Sequence, residues 1–211
     1  MRKVLRAAFI LLLVTTALGY LLRQPLKEFG YSLLTHDMFV ARDTDAFDPG
    51  PVLGSRFPGL RASYRGRNIT LIEEFAGRNG TVFIASRSLD WCPYCMRQMI
   101  QLQQHREGFE AAGIGLVAMT YDAPHLQQAF TEKHGITIAL LSDVDGLSFK
   151  TLGILNEQYR RGDSEYGIPY PGMIVVNPQG EVVGKLFLED YSVRVDAAAA
   201  LSFSRQVLGI R

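Results

Sequence analysis

The stretch TVFIASRSLDWCPYC, Thr81 to Cys95, decides how this chain is read. Its first six residues form a short apolar run of the kind that is buried within a sheet. Pro93 suits the first turn of a helix, because that turn needs no N–H from it. A strand that feeds a helix here sets Cys92 at the helix N-terminus, where unpaired N–H groups and the macrodipole favour an anion. The expected anion is a Cys92 thiolate, ionised below the usual value of about 8.5 and reachable from solvent. Cys95 lies one turn deeper, placed to attack a mixed disulfide at Cys92 and close the ring.

Two plainer explanations of the cysteine pair are weaker. Closing so small a ring contributes about 2 kcal/mol by loop entropy, against about 4.7 for a 100-residue loop, so stability is a poor reason for this spacing. A structural zinc site needs four ligands, and the chain has only these two cysteines and no HxxxH pattern. The four histidines, His36, His105, His125 and His134, show no metal-ligand spacing. No metal or cofactor is expected. Arg87 and Arg97 could favour the thiolate and Asp90 would oppose it. Trp91 offers a flat docking surface beside the sulfurs, or fills the corner between strand and helix.

On either side, the hydrophobic period switches repeatedly between two and about 3.6. Leu60–Tyr64 and Asn68–Ile72 around Arg65-Gly66-Arg67 predict a hairpin. After the cysteines come one helix over Pro93–Ala112, a strand at Gly115–Tyr121, a helix from Pro124 to His134-Gly135, a strand at Thr137–Leu141 and a short helix at Asp145–Leu152. Gly172–Asn177 and Glu181–Phe187 flank Pro178-Gln179-Gly180 as a second hairpin, and Val193–Leu208 closes the chain as a helix. The expected fold class is α/β, a mixed sheet with helices on both faces and an N-terminal β-hairpin extension. Pro171, just before a strand, cannot donate to a ladder. A cis Tyr170–Pro171 bond would turn the backbone toward the cysteines, so Trp91, Tyr170 and Pro171 are candidate substrate-binding residues beside the catalytic Cys92 and Cys95.

Arg2, Lys3 and Arg6 precede an uncharged run, Ala7 to Leu22, in the form of an export signal. Residues 1–23 are therefore expected to be a signal peptide or a membrane anchor over 4–22, residues 24–53 a linker, and residues 54–211 one domain. Leu26, Phe29, Leu33 and Leu34 could share one face of a short helix within that linker. The body is placed in an extracytoplasmic space, the periplasm of a bacterium, either anchored or secreted after cleavage. Over 211 residues, 22 Lys plus Arg face 21 Asp plus Glu, so no net field draws the chain to nucleic acid. With 47% hydrophobic residues it has ordinary globular composition.

Taken together, the Gly54-Ser-Arg-Phe-Pro58 opening, the hairpin ending in Thr70-Leu71, TVFIAS leading into WCPYC, and Pro171-Gly-Met-Ile-Val-Val-Asn-Pro-Gln-Gly180 resemble the redoxin branch of the thioredoxin-like superfamily. That branch includes the alkyl hydroperoxide reductase/thiol-specific antioxidant proteins. The resemblance implies a thioredoxin-like fold, Cys92 as nucleophile, Cys95 as resolving cysteine and a cis Pro171 facing them. It implies an exported thiol-disulfide oxidoreductase that exchanges electrons with protein dithiols or disulfides and a further redox partner. A peroxiredoxin-like thiol peroxidase is the alternative, because the Pro-x-x-x-Thr/Ser-x-x-Cys pattern of peroxiredoxins falls on Ala85 and Leu89, which lack the hydroxyl. A copper-binding chaperone is third, since such proteins use a wider cysteine pair.

Overall fold

The computed structural model describes residues 2–143 and 145–210, with backbone alone for 2–11. Two compact units divide the chain, Met1–Asp37 and Met38–Arg211. The first is one long helix, α1 (Arg2–Leu34), which runs through Pro25. The side chains of Arg2, Lys3 and Arg6 and the first part of the 4–22 segment lie outside the described residues. Among those described, no helix is long and apolar enough to cross a membrane.

The second unit begins with β1 (Phe39–Val40) and then a hairpin, β2 (Ala62–Tyr64) and β3 (Arg67–Ile69). The hairpin turn holds Arg65 at φ 48° and Gly66 at φ 75°, the left-handed pair that a two-residue connection requires. The strand expected to continue to Ile72 stops earlier, because Ile72–Phe75 coils into a 3₁₀ turn that buries Ile72. Next come β4 (Gly80–Ala85), α2 (Pro93–Gln104), α3 (Arg106–Ala111), β5 (Ile114–Thr120), α4 (Pro124–His134), β6 (Ala139–Ser142), α5 (Leu147–Thr151), β7 (Gly172–Val176), β8 (Val182–Phe187), β9 (Arg194–Val195) and α6 (Ala197–Val207). The single helix expected over Pro93–Ala112 breaks at His105, whose φ of −98° and ψ of 1° leave the helical region.

Seven strands form a mixed sheet in the order β3-β2-β6-β5-β4-β7-β8. β4, β5 and β6 run parallel, and β7 pairs antiparallel with both β4 and β8. Alternation along each strand divides the core in two. Val82 and Ile84 of β4, with Met173 and Val175 of β7, join Met99, Leu102, Phe109 and Phe130 on one face. Phe83 and Ala85, with Ile174 and Val176, join Phe149, Ile72 and Phe57 on the other. This is the expected thioredoxin-like sheet with helices on both faces.

Gly172 shows how tightly the sheet closes next to the cysteines. It pairs with Phe187, and a Cβ built on it would lie 2.2 Å from the Phe187 ring. Gly172→Ala is therefore expected to destabilise the fold by about 1–3 kcal/mol through overpacking, read as a lower urea midpoint. An unchanged midpoint would show that the ring can move aside.

The segment expected to be a linker up to residue 53 is instead docked on the body from Met38 onward. Asp43 accepts a hydrogen bond from Phe187 N and Asp45 accepts one from Glu189 N, while Lys185 Nζ lies 2.8 Å from Asp48 Oδ1. Short acidic side chains here satisfy backbone donors of the β8 edge and the loop after it. The C-terminal helix also starts later than Val193: Asp196 caps it by accepting from Ala199 N at 2.7 Å. The residues before the cap, Arg194 and Val195, form β9 and pair in parallel with β1.

Candidate active site

Cys92 is the N-cap of α2, and its Sγ accepts from Cys95 N at 3.4 Å. Both cysteines are free thiols, and their sulfur atoms lie 2.6 Å apart. The spacing thus brings the two sulfurs together, as the sequence predicts. Their exposure differs from expectation: Cys92 is 1% exposed and Cys95 is fully buried. The hydrophobic cluster around them takes in Leu188, Val193 and Val195 from beyond β8, besides Trp91 and Tyr94. A loop after β8 covers the site, and its last residues, Val193 to Val195, are ones that periodicity assigns to the C-terminal helix.

That loop also brings a cation. Arg194 is 3% exposed, and its Nη2 lies 3.8 Å from Cys95 Sγ. Burial by itself would raise the Cys95 thiol, but the hydrogen bond from Cys92, the Arg194 charge, the Ser88 backbone and the Ser86 side chain outweigh it and pull Cys95 well below the ordinary thiol value. The Ser86 hydroxyl, which meets no strict hydrogen-bond geometry, acts on Cys95 through proximity. Cys92 is pushed the opposite way, first by that same hydrogen bond to Cys95 and then by burial. The two sulfurs therefore share one proton between them in the reduced pair, with the Arg194 guanidinium on the Cys95 side. The helix terminus gives Cys92 one N–H, and Cys95 has a guanidinium beside it.

The loop before α2 is held by a buried carboxylate that sequence reading passed over. Asp122 accepts from Ser88 Oγ and Leu89 N, both at 2.7 Å, and from Thr120 Oγ1 at 2.8 Å. The only sign of it in the sequence is its place just after a buried strand, where a short acidic residue can tie neighbouring loops. Trp91 Nε1 donates to Tyr121 Oη at 2.9 Å, and Arg87 stacks between the Trp91 and Tyr191 rings at 5.2 and 4.6 Å. Trp91 thus stands beside the sulfurs as expected. The role foreseen for Arg87 passes to Arg194, because the Arg87 guanidinium is occupied by the two rings.

Tyr170 is not at the site. Its ring packs edge-to-face on Phe47 at 5.0 Å, among the partly buried residues of the opposite core face, and its N–H bonds Ile154 O at 2.7 Å. The Tyr170–Pro171 bond is trans; among the described residues there is no cis peptide. With Tyr170 anchored to Ile154, the chain enters β7 extended and needs no turn at the proline, so the usual trans preference of an X–Pro bond prevails. Pro171 does border the site, sharing a cavity of about 10 Å³ with Gln98, Met173, Val193 and Arg194. That is room for about one water molecule. Among the described residues no group of His, Cys, Asp and Glu could hold a metal.

Residues 53–185 match the AhpC/TSA family. A Mycobacterium tuberculosis protein provisionally named a peroxiredoxin is 24% identical over 135 residues, 64% of this chain and 81% of that one. In structure, a peroxiredoxin-like protein from Aquifex aeolicus superposes with a TM-score of 0.63 at 17% identity, over 76% of this chain and 90% of the other. A thiol peroxidase from Chromobacterium violaceum gives 0.60 at 19% identity, over 74% and 88%. The structural matches bear on fold alone, while the family match spans more than half of the sequence: this chain is a redox protein of the AhpC/TSA family.

Proposed function

We propose that the chain is a two-cysteine thiol peroxidase whose Cys92–Cys95 pair cycles between dithiol and disulfide. The observation that carries this reading is the enclosure of both sulfurs. A protein disulfide cannot reach a sulfur that is 1% exposed, whereas a hydroperoxide needs only a small displacement of the covering loop. Cys92 sulfur attacks the peroxide oxygen while its proton passes to the Cys95 thiolate across the 2.6 Å contact. An S–O bond forms, the O–O bond breaks, and the leaving oxygen takes the proton held by Cys95 to depart as an alcohol or water, so that Cys95 is again a thiolate. The Cys95 thiolate then displaces hydroxide from the Cys92 sulfenic acid, closing the disulfide, and the hydroxide takes a proton from solvent to leave as water. An external dithiol returns the two electrons. The relatives' names favour the same reaction.

Disulfide exchange with partner proteins is the second reading. It is favoured by the CxxC spacing and by Leu89 and Ala85, which offer no hydroxyl where peroxiredoxins carry theirs. Mixing reduced protein with hydrogen peroxide or cumene hydroperoxide, and separately with oxidised glutathione, distinguishes the two. A peroxide rate at least 10³-fold above that of free cysteine, ending in the Cys92–Cys95 disulfide, supports the peroxidase. A rate equal to free cysteine's, with fast glutathione exchange, refutes it. Export, with anchoring through residues 4–22, is part of the proposal and rests on Arg2, Lys3, Arg6 and the apolar run after them. Fractionation of cells expressing the full chain tests it.

A further inference from the structure

Residues 1–37 lie outside the part of the chain that matches the family, and their helix α1 has a side that the chemistry at the cysteines does not use. Ala7 to Leu22 is uncharged all round, and sidedness begins with Arg23. From Leu22 the large apolar residues recur at Leu26, Phe29 and Leu33, steps of four, three and four that keep them on one face of the helix. All four are open, at 44%, 64%, 63% and 59% exposure. Arg23, Gln24, Lys27 and Tyr31 fall on the opposite face, where Lys27 Nζ lies 5.3 Å from the Tyr31 ring centre. An anchor over residues 4–22 is about 28 Å long at 1.5 Å per residue, close to the roughly 30 Å of a hydrocarbon layer, so Arg23 emerges at its boundary. The helix nevertheless runs on to Leu34. Straight on, it carries its apolar face into water; turned along the bilayer, it buries that face.

We propose that Arg23–Leu34 lies along the membrane surface, bent from the anchor at Pro25, with Leu26, Phe29 and Leu33 sunk among the acyl chains beside Leu22 and with Arg23 and Lys27 reaching the phosphates. The bend has a cause in the sequence: Pro25 brings no N–H to the carbonyl of Leu21, four residues back, and its ring crowds that carbonyl. Lipid, rather than a second copy of the chain, is the occupant of the apolar face for two reasons. Arg23 and Lys27 outnumber Glu28, the single acid among residues 23–34, which suits anionic headgroups. Three turns of helix also offer far less than the about 800 Å² per partner that a specific protein interface buries. Tyr20 and Tyr31, one on each side of the bend, are of the residue type that settles at headgroup depth. The chain then comes to Met38, where the second unit begins, at the headgroup layer instead of at the end of a free tether. The inference owes nothing to the peroxidase reading and takes from the export reading only that residues 4–22 lie in a bilayer.

The test places a tryptophan at one of three exposed positions of the full chain, Gln24→Trp, Phe29→Trp or Leu33→Trp. Each variant is reconstituted into vesicles of phosphatidylcholine and phosphatidylglycerol brominated near the top of their acyl chains, and the emission it adds to that of Trp91 is measured. Bromine should lower the added emission of Phe29→Trp and of Leu33→Trp alike, by about twofold or more, and that of Gln24→Trp less, because Gln24 is on the polar face. Quenching that instead declines in the order Gln24→Trp, Phe29→Trp, Leu33→Trp shows a helix standing straight off the bilayer and overturns the proposal. Blue-shifted emission at Phe29→Trp that bromine leaves untouched also overturns it, because the face is then covered by protein, a second copy or the chain's own second unit. Alkaline carbonate keeps this inference apart from the anchor. A chain that shows the expected pattern and is then stripped from the vesicles has the surface segment without the anchor, and a chain that is retained with the reversed order has the anchor without the surface segment. A chain that does not float with the vesicles has neither, and overturns the proposal as well.

Discussion

Cys92→Ser is expected to abolish peroxide turnover, a loss of at least 10³-fold, because no other side chain can take its place at the head of α2. Serine keeps the shape and the N-cap, so the fold should survive and circular dichroism should be unchanged. Cys95→Ser should behave differently. Cys92 then lacks both the base that accepts its proton and the sulfur that resolves it, so oxidation slows by about 10²-fold at neutral pH and stops at a sulfenic acid that dimedone traps. Mass spectrometry of the two variants after one equivalent of peroxide reads both outcomes. A Cys95→Ser protein oxidised as fast as the parent would show that Cys95 is no base. Dimedone labelling of Cys95 in the Cys92→Ser variant at the parental rate would reverse the two roles.

Asp122→Ala should have the largest effect on stability, about 3–5 kcal/mol. It takes the acceptor away from the Leu89 N–H and from the hydroxyl hydrogens of Ser88 and Thr120 in the interior, each at about 1–3 kcal/mol with some relief by relaxation. Because Ser88 and Leu89 belong to the loop that delivers Trp91 and Cys92, peroxide reactivity should fall with stability. The pH dependence has a definite sign. Burial raises the Asp122 carboxyl above its ordinary 3.8, against hydrogen bonds from Leu89, Ser88 and Thr120 that lower it. The folded state then binds the proton more tightly than the unfolded chain, so this group's contribution is full below 3.8 and declines as pH rises through the elevated folded value. Asp122→Asn should therefore show a smaller loss of stability between pH 4 and pH 7 than the parent, measured by urea unfolding. A larger loss would reverse the assignment. Asp143, also raised chiefly by burial, contributes with the same sign and stays in both proteins.

What could be read from the sequence was what repeats locally. TVFIAS, GLVAMTY and GMIVVN are runs whose length and flanks select buried strands, and they landed within a residue or so of β4, β5 and β7. Cys92 and Cys95 were legible because three-residue spacing on a helix leaves little choice of geometry. Arg194 was not. Val193-Arg194-Val195 carries a period of two, but three residues joined to an alanine-rich helix read as its first turn, and no local rule says that a distant segment at Met38–Val40 will pair with them. Tyr170 sits away from the cysteines because its N–H is anchored to Ile154 O and its ring to Phe47, contacts that no local pattern around Pro171 announces. The cation beside the pair is hidden for a related reason: the helix terminus is a sequence-local influence, whereas the Arg194 guanidinium arrives from a segment 99 residues away from Cys95.

The pairing of β1 with β9 also bears on how the protein is made. Phe39 emerges from the ribosome long before Arg194, so this contact is among the most non-local of those described and cannot close until both segments have been made. Until β9 has been made the cover over the two thiols cannot form, so their selectivity begins only when that strand pairs with β1.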